Sequence, residues 1–420
     1  MALDPFSILI LFSLTIVVGY VGSYIFSKTR IPDVILLMFF GMIVGPVLHL
    51  VDTAIFLAIS PFLAALAILI ILFDAGLNMD FYQMVHSFSR SMLLAVAEIV
   101  LGMAAVALIS MQIFGFDLLR GLLLGAILGG TSSAIVISIV SRLKISEKAK
   151  TFLNLESILT DPMVVVIAIV LVGIITQTGT QVSPVNSILA TFSIGAVLGI
   201  LAGVVWLIVL DRLHGRPFDY MITLAVLFLL YSFVESTGGS GAIAALLFGL
   251  VLGNGLTFSR MLKSKKREGF SHLLKTFQSE VSFFIRSFFF VYLGLIVSIN
   301  PTYALYGLAI SAALIATRFI AVQFSTIKMG LTKTEKSMAM HMAPRGLAAA
   351  VLAQLPITYG IAGAEIFSNI IFIVILATVI YTTVAVRVFT GKREKKEKRE
   401  AREEEASKEE KQKAVKKRKK

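Results

Sequence analysis

The sequence predicts an all-α polytopic membrane protein of about 13 transmembrane helices, an inverted repeat with two discontinuous helices that cross. Three observations lead there. The 420-residue chain is 57% hydrophobic with mean hydropathy +0.90, more apolar surface than a soluble core can absorb. Apolar windows long enough to cross a bilayer follow one another almost without pause. Two of those windows are interrupted near their centres by poor helix formers, Gly129-Gly-Thr-Ser-Ser133 and Pro344-Arg-Gly346.

Windows of roughly 20 apolar residues place the spans at about 5–27, 32–51, 54–77, 91–114, 119–142, 150–176, 187–210, 218–235, 239–255, 277–298, 303–325, 335–355 and 362–388. The first lacks a basic region before it and is too long for a signal-peptide core, so it reads as a retained span. Basic residues fall on alternate loops: Lys28 and Arg30, Arg90, Arg142 to Lys150, Arg212 and Arg216, Arg260 to Lys275, and Lys328 to Lys336. The opposite loops hold only Arg120. This bias predicts an outside N-terminus and a cytoplasmic C-terminus. Residues 1–390 form the transmembrane domain. The tail 391–420 carries 15 Lys/Arg and 8 Glu without apolar periodicity, and reads as a solvated segment whose last residues touch anionic lipid. The net charge of +13 is therefore a matter of topology and lipid, not of nucleic acid. With no cysteine, thiolate metal sites and disulfides are excluded.

The interrupted windows run in opposite directions seven spans apart, the pattern of an inverted-repeat transporter. Spans 1–6 then match spans 8–13. A short echo fits: span 3 ends Phe73-Asp-Ala-Gly-Leu77 and span 10 ends Val291-Tyr-Leu-Gly-Leu295.

The chemistry concentrates in Asn154-Leu-Glu-Ser-Ile-Leu-Thr-Asp-Pro162. A charge at the bilayer centre costs about 3 kcal/mol, so Glu156 and Asp161 are expected to face protein or a wet cavity. Asp161 sits about eleven residues into its span, roughly 16 Å from one surface and near the midplane. There it can take either a proton or a small cation. Ser157 shares its face at i,i+4, and Thr160 pairs likewise with Glu156. Pro162 frees a carbonyl one turn earlier. Thr131, Ser132 and Ser133, where span 5 unwinds, add hard oxygens suited to a hard cation.

Other intramembrane charges have defined expectations. Glu156 is expected to pair with Arg345 as a structural lock. Glu98, about two turns into span 4, is expected to snorkel. Arg286 and Arg318 are counter-ion candidates or carbonyl caps, Arg286 being favoured. Asp74, at the end of span 3, reads as a solvated end residue or a vestibule group, and His341 as a packed neutral ring. No nucleophile elbow, zinc-protease motif or phosphate loop is present, so no enzymatic activity and no cofactor are expected.

These residues resemble the cation–proton antiporter superfamily, in particular the thirteen-helix sodium/proton antiporters of the NhaP and NHE kind. Glu156-Ser-Ile-Leu-Thr-Asp161 looks like that family's Glu-Ser-x-x-Asn-Asp motif. Ile31-Pro-Asp33, Pro344-Arg-Gly346 and the Phe-Phe-Val-Tyr-Leu-Gly294 run after Arg286 extend the likeness. The resemblance implies a NhaA/NhaP-like fold in which a six-helix core moves against a dimerisation domain, hence a homodimer in a lipid bilayer. It implies Asp161 as the shared carboxylate for the proton and Na+ or K+, with Ser157 and Thr131 as further ligands. Two positions depart from it. Thr160 stands where relatives have Asn, or a second Asp in electrogenic ones, which favours electroneutral exchange. Ser132 stands where NhaP-type proteins often carry Asp, a Kef-like feature that opens the choice between sodium and potassium. The alternative reading is an ion-coupled symporter of an organic anion, for which Arg345 and Arg286 are the candidate anion-binding groups.

Overall fold

The computed structural model describes residues 5–29, 31–50, 53–79, 81–176, 184–213, 219–255, 272–298 and 300–388. The charged tail and the basic loop 256–271 lie outside these residues. The described chain is helical: α1 (Pro5–Thr29), α2 (Asp33–Met42), α3 (Thr53–Asn78), α4 (Phe81–Phe114), α5 (Leu118–Ile127), α6 (Ser133–Val140), α7 (Glu147–Thr176), α8 (Pro184–Leu213), α9 (Asp219–Ser236) and α10 (Gly241–Gly253). Then come α11 (His272–Ile296), α12 (Pro301–Ser325), α13 (Lys333–His341), α14 (Leu347–Leu352) and α15 (Leu355–Thr358), closed by α16 (Ala364–Val388). Among the described residues, seven helices are long and apolar enough to cross a membrane, and six shorter apolar stretches accompany them. Every predicted window overlaps one of these.

Local chemistry sets the irregularities. After α2 the helix widens into a π turn, Ile43–Val47. Pro46 there has no N–H to give, and the Leu48 amide reaches back five residues to the Ile43 carbonyl at 2.9 Å. Asp117 caps α5 by accepting from the Arg120 amide at 2.9 Å. A capping box, Thr332 with Glu335, starts α13. Between α5 and α6, and again between α13 and α14, the chain leaves the helix where Gly-Gly-Thr-Ser and Pro-Arg-Gly had predicted it.

The helices pack in two groups. In one, α4 contacts α5, α7 and α12, while α7 contacts α5 and α6, and α12 contacts α13. In the other, α10 contacts α3, α8 and α9, while α11 contacts α1, α2 and α3. The groups meet where α14 crosses α3 and α11 and where α3 passes α7. The echoed glycines show the repeat at work. Gly76 of α3 lies against the α10 backbone at Leu246, and Gly294 of α11 lies against the α2 backbone at Met38. Span 3 on span 9 is thus mirrored by span 10 on span 2, as the repeat requires.

A Cβ on Gly294 would overlap the Met38 carbonyl, a backbone atom that cannot rotate away. Gly294→Ala is therefore expected to force α11 off α2 and cost about 1–3 kcal/mol. Thermal unfolding of the purified variant in detergent checks this; an unchanged midpoint would show that the two helices separate freely.

Candidate functional site

The two interruptions meet. The Ser132 amide donates to the Pro344 carbonyl at 2.8 Å, and Gly346 faces Ser132 so closely that any Cβ would overlap its side chain. This crossing puts unwound backbone from both broken helices beside α7 and divides the polar residues between two sides.

On one side lies a dry cluster of four charges, Glu98, Glu156, Arg318 and Arg345, each 0% exposed. Arg318 Nη1 lies 3.1 Å from Glu156 Oε1, and the same nitrogen contacts Glu98 closely. Arg345 Nη1 is 3.0 Å from the other oxygen of Glu98. Two positive and two negative charges cancel, which is what makes burial tolerable. Each arginine also donates to a carbonyl at a helix end: Arg318 Nε to Ala339 O, 3.1 Å, and Arg345 Nη1 to Gly129 O, 3.1 Å. Threonines complete the binding, the Arg345 amide donating to Thr378 Oγ1 at 3.1 Å.

This corrects two expectations. Glu156 is paired with Arg318 rather than with Arg345, whose carboxylate is Glu98. Glu98 does not snorkel: it is 0% exposed and turned inward to Arg318 and Arg345. Arg318 proves to be both counter-ion and carbonyl cap.

On the other side lies a cavity of about 270 Å3 between the two helix groups. Asp161, Ser132 and Ser133 line one wall, and Asp74, Asn78, Ser282 and Arg286 the opposite one. Ser133 Oγ donates to Asp161 Oδ2 at 2.5 Å. Pro162 lies inside α7 and cannot donate to the carbonyl of Ile158, which also lines the cavity. Asp74 accepts from Asn78 Nδ2 at 3.1 Å. Arg286 Nη2 donates to Asp33 Oδ2 at 3.1 Å, so its partner is a residue at the start of α2 rather than Asp161.

The expected ligands divide accordingly. Thr131 Oγ1 donates to Glu156 Oε1 at 2.8 Å, and the Thr131 amide donates to Thr160 Oγ1 at 3.3 Å. Both threonines thus tie α7 to the unwound segment on the dry side. Ser157 is fully buried and gives its hydroxyl to the Asn154 carbonyl at 3.0 Å. The hydroxyl touching Asp161 belongs to Ser133. His341 packs edge-on against Phe319 and bonds the Tyr381 hydroxyl at 2.5 Å.

A bundle in which two interrupted helices cross beside a carboxylate facing a cavity has the architecture of the broken-helix membrane transporters. A profile described as sodium/hydrogen exchanger, transmembrane, matches residues 12–390. The chain belongs to the sodium/hydrogen exchanger family. It is 27% identical over 326 residues to the K(+)/H(+) antiporter NhaP2 of Shewanella oneidensis, covering 75% of this chain and 54% of that protein. It is 27% identical over 361 residues to the probable Na(+)/H(+) antiporter 2 of Methanocaldococcus jannaschii, covering 81% and 82%. The chain thus spans about half the length of the Shewanella relatives it matches. The fold is that of the sodium proton antiporter MjNhaP1 of M. jannaschii at pH 8, with TM-score 0.75 at 22% identity over 90% of this chain and 96% of that one. The organic-anion symporter reading is not favoured: the relatives are named antiporters, and both arginines it needs are paired with carboxylates.

Proposed function

We propose that the chain is a secondary antiporter exchanging a monovalent cation for protons at Asp161, one for one and without net charge movement. The observation that carries this is the setting of Asp161. It is the carboxylate placed between the unwound α5–α6 segment and the cavity, with Ser133 on one oxygen and no basic side chain bonded to it among the described residues. A carboxylate so placed takes a cation when it is deprotonated and loses it to a proton when the pH falls. Ser132, Ser133 and Ile158, whose carbonyl Pro162 leaves free, also line the cavity and offer additional oxygens, while Thr131 and Thr160 hold the segment to α7. The Glu98–Arg318–Glu156–Arg345 cluster locks the core as one body.

Access alternates by movement of the α4–α7, α12 and α13 group against the group built on α3, α10 and α11. The protein works in the cell membrane as a homodimer, with a cytoplasmic C-terminus. In that orientation the cavity opens inward, because Asp74 and Asn78 stand at the cytoplasmic end of α3. Sodium is the first cation proposed. Potassium is the second reading, supported by the K(+)/H(+) names of the Shewanella relatives and by Ser132.

The test is proton flux in liposomes containing the protein, with sodium and potassium added separately, with and without a membrane potential. The expected result is cation-evoked proton release that the potential does not alter. Potential-driven flux would overturn electroneutrality, and absence of flux with both ions, in folded protein, would overturn antiport.

A further inference from the structure

The cavity poses a problem of valence. Asp74 and Asp161 reach it from opposite walls, with Asn78, Ser132 and Ser133 beside them. Two carboxylates and several neutral oxygens are the hard donor set that Ca2+ or Mn2+ takes. A site that turned over sodium or potassium would be blocked by such an ion.

The cavity wall also contains a fixed positive charge. Arg286 is the one basic side chain among the described residues lining it. An arginine side chain carries a positive charge, and this one lines the same cavity as Asp74 and Asp161. Its position is built rather than casual. Asp33 Oδ2 accepts from Nη2 at 3.1 Å, while Asp33 Oδ1 is itself held by the Val34 amide at 3.1 Å. The Phe283 ring lies 5.8 Å from the guanidinium carbon. Asp33 is only 7% exposed and is not part of the cavity lining. The pair therefore turns its positive end to the cavity and its negative end away.

We infer that the Asp33–Arg286 pair sets the valence of the accepted ion, its positive end excluding divalent cations from a two-carboxylate cavity. The inference rests on the antiport reading for its purpose but not for its measurement. Coulomb energy scales with the charge of the bound ion, so a fixed charge acts twice as strongly on a divalent ion as on a monovalent one. In affinity the effect is squared.

The experiment is thermal-shift titration of the purified full chain with NaCl and with MnCl2 at constant ionic strength. Arg286→Gln removes the positive charge and uncovers that of Asp33. If its sodium affinity rises about tenfold, its Mn2+ affinity is expected to rise about a hundredfold. Asp33→Asn has the opposite sign, weakening sodium binding and weakening Mn2+ binding by the square of that factor. Arg286→Lys, which keeps the charge, is expected to stay near the parent protein. Adding Asp74→Asn to Arg286→Gln should remove most of the gained Mn2+ affinity. Equal gains for the two ions, or none, in Arg286→Gln would overturn the inference. Should that variant not fold, an unchanged Mn2+-to-sodium ratio in Asp33→Asn overturns it instead. Mn2+ binding gained in a protein that exchanges no cation for protons would leave the inference standing and remove the antiport reading.

Discussion

Asp161→Asn is expected to abolish cation-evoked proton movement, by at least about a hundredfold, while leaving the protein folded. The substitution removes the carboxylate that the proposed mechanism assigns to either ion, and it changes little else. Asn keeps the side-chain volume, and its amide oxygen can still accept from Ser133 Oγ, which now bonds Asp161 at 2.5 Å. The side chain faces a cavity rather than a close-packed wall, so loss of its charge leaves no buried partner stranded; this is why stability should hold while transport fails. The measurement is the liposome assay beside a thermal unfolding curve on the same preparation. Transport within tenfold of the parent protein would place the exchanged proton elsewhere, with Asp74 the first alternative across the cavity.

Arg318→Met is expected to do the reverse, removing the fold before transport can be assayed. Its guanidinium serves Glu98, Glu156 and the Ala339 carbonyl at once. Without it two carboxylates at 0% exposure face each other with only Arg345 nearby. Removing one partner from a buried ion cluster costs about 3–5 kcal/mol, a large part of a typical domain's 5–15 kcal/mol. Size-exclusion profiles and unfolding midpoints check this. A second variant separates charge from packing. Glu98→Gln added to Arg318→Met removes one stranded carboxylate and should recover part of the loss. A midpoint within about 2 °C of the parent for Arg318→Met alone would show that the cluster contributes nothing net.

The two variants fall on opposite sides of one short segment. In the unwound chain Gly129 O accepts from Arg345 and Thr131 donates to Glu156, and Ser133, the first residue of α6, donates to Asp161. In the proposed mechanism, binding or release at Asp161 would act on the segment that the charge cluster also holds.

Much of this was legible in the order of residues. Mean hydropathy and window length gave the membrane class, because an apolar window of about 20 residues satisfies its own backbone polar groups in lipid by forming a helix. The interruptions were legible because Gly-Gly and Pro-Arg-Gly destabilise a helix locally, whatever surrounds them. That Asp161 faces a cavity was legible because a carboxylate in an apolar span must face protein or water. Even the echo between Ala-Gly-Leu77 and Leu-Gly-Leu295 marked two places where backbones approach.

What the order of residues did not carry was partnership. Glu98 lies 220 residues from Arg318, Glu156 lies 162 from it, and Asp33 lies 253 from Arg286. Four buried charges can be joined in several ways, and Coulomb attraction distinguishes them only by distance in space. Local terms read from the sequence alone therefore determined the elements, their breaks and the carboxylate at the centre. The crossing of α4, α7 and α12 decided that Arg318, not Arg345, answers Glu156. The turn of the unwound segment decided that Ser133, not Thr131, meets Asp161, because successive residues leaving a helix point to different sides.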